Sequence, residues 1–133
     1  MFYPMFFMVL LIAVVGAVTV TRRFASVKDG SVKARYFKLM SGQDVPELII
    51  QSTRNFNNLF EVPILFFVAG TLYISLGIES SFALACAWFF VIARVAHSYV
   101  HLTYNHVMHR LVAFALAFAA VVALWINLLI VME

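Results

Sequence analysis

Seven polar side chains stand at helical spacing inside runs of Ile, Leu, Phe and Val. They are Arg54, Asn58 and Glu61 in 54-RNFNNLFEVP-63, Arg94, His97 and His101 in 94-RVAHSYVH-101, and Arg110 in 109-HRLV-112. At 100° per residue, Arg54, Asn58 and Glu61 fall within about 60° of one another on a helix surface. Arg94, His97 and His101 do the same on theirs. Arginine keeps its proton and clamps carboxylates with a planar fork. A guanidinium beside a thiol also favours the thiolate. The set is therefore suited to an anionic ligand.

The histidines allow a rival chemistry. His97 and His101 have i, i+4 spacing, and His106 and His109 follow shortly after. Imidazoles on one helical face can hold zinc, copper or a haem iron. No acid stands near them in sequence, so no metal ligand is assigned. The structural alternative for Arg54, Asn58, Glu61 and Arg94 is helix cross-linking. For Arg110 it is snorkelling to the interface.

These residues need elements to position them, and the composition says which. Of 133 residues, 65% are hydrophobic, 16% aromatic and only 11% charged, more apolar surface than a soluble domain of this size hides. Apolar segments of about 20 residues cross a bilayer core of roughly 30 Å as helices. The pattern predicts an all-α integral membrane protein, a four-transmembrane-helix antiparallel bundle forming a single domain over 1–133. The expected spans are 2–21, 46–77, 81–103 and 110–132, with a polar loop over 22–45. The first has its cations after the apolar run and not before it, so it reads as an uncleaved span and not a signal peptide. Pro46 suits the start of the second span and Glu47 favours its positive end. Pro63 is expected to kink it. Asn127 is expected to make an interhelical hydrogen bond, and Trp125 to anchor at the interface. Cys86 is the single cysteine, which excludes an intrachain disulfide, and reads as a packing residue. Nothing resembles a phosphate-binding loop, a paired-carboxylate hydrolase site or a nucleic-acid-binding surface.

Six of the nine Lys and Arg residues fall in 22–45, against two acids. By the positive-inside rule this loop is cytoplasmic and both termini lie on the non-cytoplasmic side. Arg54, Asn58, Glu61, Arg94, His97, His101 and Arg110 then share the cytoplasmic leaflet. A charge at mid-bilayer costs about 2.5–3.5 kcal/mol on insertion scales, so each needs a partner. Glu61 alone cannot neutralise three arginines. Surplus buried positive charge remains.

The residues resemble the superfamily of membrane-associated proteins in eicosanoid and glutathione metabolism. Its second-span signature, Arg-x-x-x-Asn-x-x-Glu, is matched by Arg54, Asn58 and Glu61, with Pro63 following. The segment 94-RVAH-97 is similar to the third helix of the prostaglandin-synthase branch, and Arg110 falls where that branch has its catalytic arginine. The resemblance covers nearly the whole chain. It implies a homotrimer that binds glutathione as co-substrate in the cytoplasmic leaflet. The implied pocket residues are Arg54, Asn58, Glu61, Arg94, His97 and His101, with Glu61 pairing an arginine. Arg22 and Arg23 resemble the basic end of the family's first helix, which reaches a ligand carboxylate. Arg110 would hold the thiolate for attack on a hydrophobic small-molecule electrophile or a lipid hydroperoxide. The pattern departs at His101, where tyrosine is common, and at Leu111 and Phe114, where the prostaglandin synthase has serine and tyrosine. Glu61 also stands one residue closer to its proline than usual. These departures suit a bacterial-type member in an inner membrane and count against prostaglandin synthesis. A non-catalytic lipid-binding or scaffolding member is the second reading.

Overall fold

The computed structural model describes residues 1–133 as helices α1 (Phe2–Lys28), α2 (Tyr36–Leu39), α3 (Glu47–Asn58), α4 (Val62–Ser75), α5 (Ser81–Leu102) and α6 (Val107–Met132), with no strand. Four stretches are long and apolar enough to cross a membrane: α1, the α3–α4 pair over Glu47–Ser75, α5 and α6. The protein is thus all-helical and multi-pass. Its periphery carries Phe, Leu, Ile and Val side chains as lipid-facing surface.

Helix α1 runs past the expected span end at residue 21 and carries Arg22 and Arg23 on its final turns. Hydropathy marks where lipid ends, whereas the helix continues while its backbone bonds keep closing. The connection after it is short of regular structure apart from α2. Val32 and Tyr36 pack there against Ile49 of α3 as a small separate core.

The second span divides. Proline lacks the N–H that would bond to the carbonyl four residues earlier, and its ring crowds that turn. With Pro63 at the start of α4, the chain leaves the α-helix at Leu59–Glu61 and tightens into i→i+3 bonds, Leu59 N–H to Phe56 O and Phe60 N–H to Asn57 O. The expected kink is therefore a full break, placed just before the proline.

Helix α4 stops at Gly77, whose φ of +65° is cheap without a Cβ. The Ile78 N–H returns to Tyr73 O at 2.9 Å and the Gly77 N–H to Ile74 O at 3.2 Å, closing the helix end. Ser80 then caps α5, its hydroxyl accepting from the Ala83 N–H. Helices α5 and α6 pack most extensively of all, with Ala83 and Ala87 on one and Ala117 and Ala120 on the other buried. Small residues let backbones approach closely, which matters where lipid supplies no hydrophobic drive between helices. Phe66 of α4 stacks on Phe90 of α5 with centroids 4.5 Å apart at the centre of this core.

Polar bonds tie the helices as well. Thr19 of α1 donates toward Ser52 O of α3 at 3.1 Å. Tyr73 donates to Asn127 Oδ1 at 2.8 Å, and Ser80 to the same oxygen at 3.0 Å, which is the interhelical role expected of Asn127. Trp125 gives its indole N–H to Leu65 O, a further helix-to-helix bond.

Candidate functional site

The polar stripe of α3 and that of α5 come together at one end of the bundle. Glu47, Ile50, Gln51 and Arg54 from α3, His101 from α5, Asn105 from the α5–α6 turn and Arg110 from α6 line a cleft of about 270 Å³. Only Ile50 among these is apolar. Arg54 is exposed and Arg110 half-buried, so both guanidinium groups are accessible from the cleft.

Arg110 is aimed by its turn. Asn105 has a φ of +51°, a left-handed conformation that asparagine tolerates. Its N–H closes onto Val100 O at 2.8 Å, and its Oδ1 accepts from Arg110 Nη1 at 2.6 Å. Arg110 Nε is buried with no protein partner. The group is held at one edge while keeping donor capacity.

Behind the cleft lies Arg94, fully buried. Its Nη2 donates to Asn58 O at 2.8 Å, reaching into the gap opened by the helix break. Its Nε and Nη1 have no partner. Arg94 therefore bonds main chain, and Glu61, expected to pair an arginine, stands with its side chain exposed. The reason is local: with the α-helical ladder open at Leu59–Glu61, a free carbonyl stands nearer the buried guanidinium than the outward-turned carboxylate does. His97 and His101 stack edge-on with centroids 5.7 Å apart, and the Nδ1 atom of each is buried without a partner. Asn55 is fully buried with neither end of its amide bonded.

The two arginines at the end of α1 are turned elsewhere. Arg22 Nη2 donates to Leu102 O at 3.1 Å, where the carbonyls ending α5 carry partial negative charge. Arg23 Nη2 donates to Thr53 Oγ1 at 3.1 Å, and its guanidinium stands 5.6 Å over the Phe37 ring. Neither lines the cleft.

Outside the membrane, hydrogen bonding from Ser31, side chain first and then main chain, holds the Asp29 carboxyl below the usual carboxylate range. No group of three His, Cys, Asp or Glu side chains converges closely enough to hold a metal ion.

Glu47, Gln51 and Asn105 were absent from the expected set. Glu47 and Gln51 lie seven and three residues before Arg54, on one helical face, and that periodicity is the signal for both. Asn105 carries a weaker signal, an asparagine in a short turn beside an arginine. Asn55 carries none, because it differs from its neighbours Asn57 and Asn58 only by which face of α3 it occupies.

A multi-pass all-helical membrane protein with a cationic cleft at one end of its bundle is the class that fold and site define. The chain itself belongs to the MAPEG family: the model for that family, described as "MAPEG family", matches residues 1–130. It is thereby a membrane protein of the eicosanoid and glutathione metabolism kind, in a family that includes glutathione transferases and related enzymes alongside non-catalytic members. No curated protein and no solved structure matches the chain.

Proposed function

We propose that the protein is a membrane glutathione transferase that presents the glutathione thiolate to hydrophobic electrophiles. The observation that carries this reading is the cleft shared by Arg54, His101 and Arg110, whose guanidinium donors are only partly used by the protein itself. A tripeptide with two carboxylates and a thiol matches such a set, because charge-assisted bonds to guanidinium are the strongest available. Arg54 takes a carboxylate in the cleft, and Arg94, buried behind it, lends positive charge from the interior. His101 shares the cleft wall, while Asn58, Glu61 and His97, pocket residues by family resemblance, stand outside its lining. Arg22 and Arg23 stand outside this cleft.

Arg110 is the catalytic residue. Beside it the thiol gives its proton to water and remains a thiolate, stabilised by the positive charge. The sulfur attacks the electrophilic carbon, a C–S bond forms, and the leaving group departs with its electron pair. On a lipid hydroperoxide the same sulfur attacks the terminal oxygen, the O–O bond breaks to leave a sulfenic acid, and the lipid alkoxide departs with the electron pair and takes a proton from water to become the alcohol. A second glutathione then reduces the sulfenic product, giving disulfide and water. Apolar substrates arrive laterally from lipid, and holding both reactants together supplies much of the rate. The basic connection after α1 faces the cytoplasm, which places both termini on the opposite side and gives glutathione access from the cytoplasm. Three copies form the working assembly, in the inner membrane of a bacterial-type cell.

Titration of the detergent-solubilised protein with glutathione tests the reading. Saturable binding below millimolar concentration is expected. No binding at that level would leave the scaffolding member as the better account, and binding of another low-molecular-weight thiol in its place would correct the identity of the co-substrate.

A further inference from the structure

A second concave surface lies at the same end of the molecule and shares no residue with the cleft. Val20, Arg23, Phe24 and Val27 of α1 face Ala34 and Phe37 across a groove of about 360 Å³. Five of its six lining residues are hydrophobic, and Arg23 is the exception. Val20 and Phe24 mark the level at which the apolar run of α1 gives way to charge. A helix that crosses lipid meets the headgroups near such a change. Phe24 is 73% exposed, so the groove opens outward.

From this geometry we infer that the groove seats one acyl chain of a phospholipid with an anionic headgroup, bound through its phosphate at Arg23. Arg23, the one cation that lines the groove, selects the lipid, and the charge around it only draws anionic lipid to this surface. Lys28, Lys33, Arg35 and Lys38 are all exposed beside it, a juxtamembrane basic cluster of the kind that attracts anionic leaflets. Arg23 is the anchor because one edge is already fixed. Its Nη2 is held by Thr53 and its plane lies over Phe37, while Nε is buried with no protein partner. A preorganised guanidinium loses little freedom when it takes up a phosphate. The occupant is a lipid and not a second copy of this chain, because five apolar side chains line the groove while its one cation and the exposed basic cluster beside it supply the charge. A phospholipid has that same division. The inference stands apart from the proposed transferase activity.

Native mass spectrometry of the full chain, purified in detergent and titrated with phosphatidylglycerol or phosphatidylcholine of identical chains, tests it. Phosphatidylglycerol should be retained about fivefold more tightly, the share expected of one interfacial cation. Arg23→Gln should bring the two lipids to parity. Ala34→Trp, which fills the groove, should weaken both. Glycerol phosphate, which lacks acyl chains, should not displace the lipid. Parity in the unaltered protein would overturn the inference, as would a preference that survives Arg23→Gln. Displacement of the lipid by excess glutathione would assign Arg23 to the tripeptide instead. A photoreactive side chain at position 24 that cross-links to another copy of the chain would make the groove a subunit contact. Should Ala34→Trp fail to fold, the Arg23→Gln comparison still decides.

Discussion

The two ends of the bundle both hold polar side chains among apolar ones, and they treat them oppositely. At one end Tyr73, Ser80 and Asn127 close on each other at 2.8–3.0 Å. At the other, Arg94, His97, His101 and Arg110 all keep buried nitrogen atoms that nothing in the protein meets. Buried polar groups normally find partners, because leaving one bare costs about 1–3 kcal/mol. The satisfied end behaves as a staple between helices. The unsatisfied end is arranged for something that arrives from outside.

That contrast can be broken most sharply at Arg110. Arg110→Ala should lower conjugation of an apolar chloro-nitrobenzene by about 100-fold, the scale of losing one preorganised charge-stabilising donor, with the helical spectrum unchanged. Turnover equal to the parent would remove Arg110 from the chemistry. A second comparison uses ligand-linked stability. At glutathione tenfold above its Kd, the parent should gain about 1.4 kcal/mol of apparent stability, read as a rise in Tm. Arg54→Gln should abolish that gain while leaving the unliganded melting point in place, since Arg54 is exposed. A gain that survives would move the ligand elsewhere.

Tyr73→Phe should do the reverse. It should cost about 0.6–1 kcal/mol of stability, the usual worth of a hydrogen bond between membrane helices, and leave the glutathione response intact. A lost response would mean the two ends are coupled. The smallest effect concerns Asp29. Its folded carboxyl titrates below the ordinary value near 3.9, so its contribution is present above that pH and is lost as the pH falls through the lower, folded value. Asp29→Asn should therefore flatten the acid side of the stability profile below about pH 4, its small loss of stability at neutrality vanishing as the pH falls through the folded value. An unchanged acid limb would show that the Ser31 contact adds nothing to folding.

The sequence makes the four spans legible because hydropathy is read directly by the bilayer. The meeting of Arg54, His101 and Arg110 is legible too, since helical spacing fixes which residues share a face and lipid forbids charge on the outside. Other features depend on distances that spacing does not encode. Arg94 bonds Asn58 O because Pro63 opens the ladder there, and the size of that opening is set by packing around it. Arg23 turns to Thr53 because α1 continues as helix through Lys28, which a falling hydropathy conceals. Asn105 acts through a left-handed backbone, a property of the turn and not of the residue alone.

The break at Leu59–Glu61 has a mechanical meaning. Above it, α4 is locked into the large interior through Phe66, Ala69 and Tyr73; below it, the buried Ile49 of α3 belongs to the small knot with Val32 and Tyr36. The second span is therefore two stiff rods on a joint, with Arg94 as the pin. The two halves of the span thus meet at a point fixed by one bond to a buried guanidinium and not by a continuous backbone ladder.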